Sequence, residues 1–146
     1  MKVSILEPGY HEEMKKLFLD VFSNEPWFDK WNRNQLDLYM KDLTENTNSL
    51  SFAIFDENEE LIGCSLGYIF NWWQGREYFI KEFFISRKNQ SQGAGSTFLT
   101  LMKEKLRDEG VQHITLATEK TVPAYHFYQK NGFTVLEDSA FLVTRV

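Results

Sequence analysis

Cysteine is nearly absent. Cys64 is the only one in 146 residues, so the chain can make neither an internal disulfide nor a cysteine-based metal site. A reducing, cytoplasmic setting is the expectation for such a chain. Proline and glycine are sparse, at 3 and 8 residues, which argues against collagen-like, linker-rich or disordered readings. No apolar run approaches the roughly 20 residues of a membrane span, and Met1-Lys2-Val3-Ser4 lacks the basic start and apolar stretch of a secretory leader. Basic side chains are in deficit: 16 Lys and Arg against 21 Asp and Glu leave a net charge of −5. That disfavours a nucleic-acid surface and mildly favours cationic ligands. Neither the three histidines nor the acids fall at metal-ligand spacing, so no metal is expected.

What is present fits one soluble globular domain over residues 1–146, at 42% hydrophobic and 25% charged. Aromatics are the excess: 13 Phe, 6 Tyr and 4 Trp exceed what the core of a domain this size asks for. Residues 3–6 alternate as a short strand ended by Pro8-Gly9. Met14, Leu17, Phe18, Val21 and Phe22 then form one apolar stripe at helical spacing. Pro26 breaks that helix and opens an aromatic loop with Trp27, Phe28 and Trp31. A second helix is expected over 33–45, capped by Asn32, with Leu36, Tyr39, Met40 and Leu43 inward. Strands over 50–54, 61–70 and 78–85 are joined by connections too short for a crossover helix, so they read as an antiparallel meander. A helix over 95–109, a strand over 113–118, a helix over 123–130 and strands over 133–136 and 141–144 complete an α/β (α+β) chain. The order βααβββαβαββ implies a mixed central sheet of about seven strands flanked by about four helices.

Between strand and helix lies Gln90-Ser91-Gln92-Gly93-Ala94-Gly95-Ser96. Glycines here allow a tight turn whose backbone N–H groups converge on an anion, backed by the donors and dipole of a helix start. Arg87 and Lys88 stand close enough in sequence to add charge. No Gly-Lys-Ser/Thr follows, and the third glycine of a dinucleotide fingerprint is missing. An ordinary strand-to-helix turn reads the same way on these residues alone.

Three motifs in company carry more. Gln90-x-x-Gly93-x-Gly95, the apolar Phe83-Phe84-Ile85 of the preceding strand, and Ala124-x-x-Phe127-Tyr128 followed by Gly132-Phe133 occur in this order. With them the chain resembles the GNAT N-acetyltransferases, which move an acetyl group from acetyl-CoA to an amine. The resemblance implies a GNAT-like fold and a pyrophosphate held by residues 90–96. It also implies a CoA arm lying along the backbone of Phe83, Phe84 and Ile85, where a free N–H such as that of Phe84 would serve the developing oxyanion. Tyr128 takes the place of the family's general acid. Its pKa of about 10 keeps it protonated at neutral pH. Two departures stand out: Thr121 replaces a common helix-start Asn, keeping capping ability, and Lys81 occupies a position that holds an acid in polyamine acetyltransferases.

From the residues themselves, Glu82 sits among aromatics, where burial would raise its pKa and suit it to act as a base through water. A structural salt bridge or a solvent-facing strand position explains it equally well. His113 and His126 are rivals by residue type only. Trp27 and Trp31 in the first loop and Trp72 near the tip of the third strand, with carboxylates such as Glu25, would suit a cationic amine by charge and cation–π contact. The same tryptophans would equally suit a homodimer surface. The expected activity is therefore acetyl transfer to a primary amine of a small cationic molecule, aminoglycoside-like or polyamine-like, by direct transfer in a ternary complex. Its rivals are a protein lysine or N-terminal acetyltransferase and a non-catalytic acyl-CoA sensor or scaffold.

Overall fold

A computed structural model describes residues 1–146. The chain divides into two compact units, Met1–Leu116 and Ala117–Val146.

The first unit is built on a five-stranded sheet in the order β1-β2-β3-β4-β5, with β1 Lys2–Ile5, β2 Ser49–Phe55, β3 Leu61–Trp72, β4 Gly75–Ile85 and β5 Val111–Leu116. The first four strands pair antiparallel. Helix α3, Ala94–Asp108, provides the crossover that brings β5 parallel to β4. The mixed sheet expected from connection lengths is thus present. Helices α1, His11–Phe22, and α2, Arg33–Thr44, fill the link between β1 and β2. Burial on α1 falls on Met14, Phe18, Val21 and Phe22, the apolar stripe of the sequence, and on α2 on Leu36, Met40 and Leu43. Asn32 caps α2 in a full capping box. Its side chain accepts from the Gln35 N–H while Gln35 accepts from the Asn32 N–H. Lys15 and Arg33 bridge Asp37 and Glu12 at 3.0 and 2.8 Å, tying α2 to α1.

Strand alternation sends neighbouring residues of β4 to opposite layers. Phe84 packs edge-on against Phe18 and Phe22 of α1, at 5.6 and 5.8 Å between centroids, whereas Phe83 meets Phe98 of α3 at 5.2 Å. The register contains one irregularity that matters. Leu66 lies opposite Glu82 but Gly67 lies opposite Ile80, leaving Lys81 as an extra residue, a β-bulge. Glycine is required at 67 because a Cβ there would sit 2.2 Å from the Phe79 carbonyl oxygen.

The second unit contains α4, Pro123–Lys130, with the bounds the sequence predicted. The expected strands over 133–136 and 141–144 are not formed, so the sheet has five strands rather than about seven and the order is βααβββαβα. Phe141, Leu142 and Val143 are instead 90%, 86% and 92% exposed. The aromatic Phe141 and β-branched Val143 suit a pleated surface, but a strand also needs a partner backbone, which propensity does not supply. No helix of the chain is long and apolar enough to cross a membrane.

Candidate active site

The bulge at Lys81 resets the side-chain alternation, and Glu82 emerges on the layer that α2 covers. There the Tyr39 hydroxyl donates to Glu82 Oε2 at 2.9 Å. Tyr39 is fixed from two sides. Its helix is anchored by fully buried Leu36, Met40 and Leu43, and its ring stacks on Trp31 at 5.1 Å and 17°. Trp31 in turn packs edge-on to Phe18 and donates its indole N–H to Asp29 Oδ2 at 3.2 Å. An open recess of about 430 Å³ lined by Asp29, Lys30, Trp31 and Gln35 adjoins this assembly.

The electrostatics follow from that packing. Burial raises the Glu82 carboxyl above its ordinary range, and the nearby Asp29 charge adds to this. The Tyr39 hydrogen bond and the Lys81 charge partly offset both. Burial and the facing carboxylate push the Tyr39 phenol far up, so it remains a donor at every physiological pH. A buried carboxyl whose pKa is raised in this way is a candidate for proton transfer. Cys64 offers no rival chemistry. It lies fully buried in the sheet, where desolvation pushes its thiol up and away from the reactive thiolate.

The second feature lies where β4 leads into α3. β5 pairs with residues 76–80 of β4 and no further. Phe83, Phe84 and Ile85 lie beyond that paired stretch, between the bulge and the loop into α3. The side chains of Phe84 and Ile85 are core. The loop that follows closes on itself: Gln90 Nε2 donates to the Ile85 carbonyl and Gln92 Nε2 to the Lys88 carbonyl, both at 3.0 Å. Ser91 and Gly93 take left-handed backbone, φ 63° and 81°. Gly93 is the N-cap of α3, no side chain caps that end, and a Cβ on Gly93 would meet nothing within 4 Å. The first-turn N–H groups of Ala94, Gly95 and Ser96 have no acceptor within the helix and no side-chain cap. Arg87 and Lys88 turn elsewhere, towards Asp20 at 3.7 Å and Glu60 at 3.4 Å.

The remaining expected site residues fare differently. Trp27 packs against Phe22 at 5.5 Å, so the structure brings Trp27 and Trp31 together on the α1 layer, while Glu25 is exposed in the turn before them. Trp72 is not part of that group. It lies six residues along β3 from Leu66, the partner of Glu82, a span of about 20 Å along a strand. Thr121 does not cap α4, because Val122 takes the N-cap position and no side chain bonds there. Tyr128 lies on α4, its ring edge-on to Phe127 and Phe133, both at 5.3 Å. Tyr39 was read from sequence only as part of the buried helix face. The available signal was its hydroxyl, since a tyrosine in an apolar stripe needs a polar partner.

Over residues 11–133 the chain matches the acetyltransferase (GNAT) family. It belongs to that family. No curated protein matches it. Among solved structures it is similar to an aminoglycoside acetyltransferase from an uncultured soil metagenomic sample, in complex with sisomicin, at 17% identity and TM-score 0.76. That match covers 99% of this chain and 95% of the other. A second aminoglycoside acetyltransferase from such a sample matches at 19% identity and TM-score 0.71, over 99% and 97% of the two chains. A transcriptional regulator from Bacillus halodurans matches at 18% and 0.74, over 98% and 99%. Identities this low carry the fold and leave the substrate open.

The GNAT family generally uses acetyl-CoA, and the residues present fit such a group. A helix start that no side chain caps, with open space beside Gly93, suits a phosphate.

Proposed function

We propose that this GNAT acetyltransferase is an acetyl-CoA-dependent N-acetyltransferase whose acceptor is a primary amine on a small cationic molecule, aminoglycoside-like or polyamine-like. The observation that carries this reading is Glu82, a carboxyl at a β-bulge, held by Tyr39 and standing beside the end of β4–β5 pairing. Acetyl-CoA, when bound, supplies the acetyl thioester. Residues 90–96 would hold its pyrophosphate through backbone N–H groups, with its arm running along β4. The Phe84 N–H, the expected oxyanion donor, does not serve: the Ser86 N–H bonds the Ile62 carbonyl, so by antiparallel alternation the Phe84 N–H also faces β3, towards Cys64.

The Glu82 carboxylate takes the ammonium proton of the acceptor, directly or through a water. Because burial raises its pKa, the active carboxylate form is lost as pH falls through that raised value, and the rate falls with it. The acceptor approaches over the recess beside Trp31, where Asp29 and the indole face attract a cation and Lys30 offsets part of that charge. The Tyr128 hydroxyl holds the proton that is handed over as transfer completes, a role assigned from the Ala124-x-x-Phe127-Tyr128 motif. With Cys64 sealed in the core, transfer is direct within a ternary complex rather than through a cysteine intermediate. The same reading takes residues 1–146 as one functional domain, in the cytoplasm.

Free-thiol release from acetyl-CoA against aminoglycosides, polyamines, amino acids and lysine peptides tests this. Release with a small cationic amine, abolished at low pH in wild type and without that acid limb in Glu82→Gln, is the expected result. Turnover confined to lysine peptides would overturn the acceptor class, and CoA binding without turnover would overturn the enzymatic reading.

A further inference from the structure

Glu82 does not stand on its own strand alone. The carboxylate is met from α2 by the Tyr39 hydroxyl, from the α1–α2 connection by the Asp29 charge, and from its own strand by Lys81. Of these, only Tyr39 makes a hydrogen bond to it. Tyr39 itself feels Glu82, Asp29 and, from β3, Tyr68. Its ring is held nearly parallel to Trp31, and the Trp31 indole N–H is tied to Asp29. A chain of contacts therefore runs from the recess to the carboxyl: Asp29 to Trp31, Trp31 to Tyr39, Tyr39 to Glu82.

We propose that Tyr39 is the positioning residue of this site, fixing where the Glu82 carboxylate points and relaying the α1–α2 connection to it. The proposal rests on the reading of Glu82 as the base. A free glutamate on a strand samples several rotamers, and each unproductive one removes the base from the acceptor nitrogen. A single hydroxyl donor on one oxygen, Oε2, fixes the side chain. The same bond favours the charged form against the burial that opposes it. Tyr39 touches no reacting atom in this scheme; it acts through Glu82.

The proton affinity of Glu82 is read directly by carboxyl-¹³C NMR titration of protein labelled at glutamate, with the Glu82 signal identified by its loss in Glu82→Gln. Tyr39→Phe keeps the ring and its stack on Trp31, and an unchanged two-dimensional fingerprint elsewhere certifies the fold. The Glu82 midpoint is expected to move upward by about one pH unit, the size of one hydrogen bond to a charged group. The acid limb of acetyl-CoA thiol release should move with it, a shift that a purely structural role for Tyr39 would not produce. An unmoved Glu82 midpoint overturns the proposal. A midpoint that moves while the acid limb stays in place, or a limb that survives in Glu82→Gln, leaves Tyr39 holding Glu82 but removes Glu82 as the base. Should Tyr39→Phe fail to fold, Trp31→Phe, which alters the stack and leaves the hydroxyl in place, gives the second reading: a smaller upward shift supports the relay, and none overturns it.

Discussion

Gly93 and Gly110 form a matched pair on which the phosphate cradle can be tested. Both lie at ends of α3, both hold left-handed backbone, φ 81° and 76°, and at both an added Cβ would meet nothing within 4 Å. Alanine at either position therefore meets no clash and suffers only backbone strain, about 1–2 kcal/mol. For a chain of this length the melting temperature should fall by about 2–8 °C in each variant. The functional consequences should differ. Gly93 opens the helix end whose first-turn N–H groups are uncapped, so a methyl there enters the space a phosphate must use. Gly110 follows the other end, where its N–H already bonds the Arg107 carbonyl at 3.0 Å. Calorimetric titration with CoA should show affinity weakened about tenfold or more, ~1.4 kcal/mol, in Gly93→Ala. In Gly110→Ala it should stay within a factor of two or so of wild type. Equal affinities in two equally destabilised variants would refute the cradle, because strain alone would then account for both.

Tyr128→Phe should lower turnover while leaving CoA affinity near wild type, and unchanged turnover would remove Tyr128 from the chemistry. Asn32→Ala breaks the capping box of α2 and should cost about 1 kcal/mol, read as a melting temperature lower by about 2–4 °C. Its acid limb should shift if α2 carries the positioning hydroxyl, whereas wild-type stability would show that Arg33–Thr44 needs no cap. Below neutral pH, Glu12 and Asp37 lend stability that acid removes. The Arg33 hydrogen bond lowers the Glu12 pKa from its ordinary 4.5, and the Lys15 hydrogen bond lowers that of Asp37 from 3.8. Groups depressed in the folded state contribute fully above those ordinary values and lose the contribution as pH falls through the lowered ones. Glu12→Gln with Asp37→Asn should accordingly flatten the decline of melting temperature below about pH 4.5, most visibly at low salt, since the pairs are exposed. A decline unchanged by the double substitution would show that the network contributes nothing.

Much of this protein is written locally. The apolar spacing of Met14, Phe18, Val21 and Phe22, the Asn32 cap and the Pro123 helix start each depend on residues within a turn or two, and each appears as expected. The antiparallel meander followed from connections too short for anything else. The glycine loop could be identified because its geometry is a property of a few consecutive backbones. What the sequence could not determine is long-range pairing and register. Phe141 and Val143 have the character of a strand, yet whether a backbone lies beside them is decided by the rest of the chain. Strand alternation put Glu82 opposite Phe83 but could not say which layer lines the site. The one-residue bulge at Lys81 and the arrival of Tyr39 from a helix 43 positions away decide which layer Glu82 faces, and both depend on tertiary packing. Likewise Trp31 and Trp72 looked alike in the sequence. One now stacks on the residue that holds Glu82, and the other stands at the far end of a hairpin, because a rigid strand translates six residues into distance. Composition and local pattern therefore gave the elements and the family's motifs, while the carboxyl's surroundings, and with them its chemistry, came only from the fold.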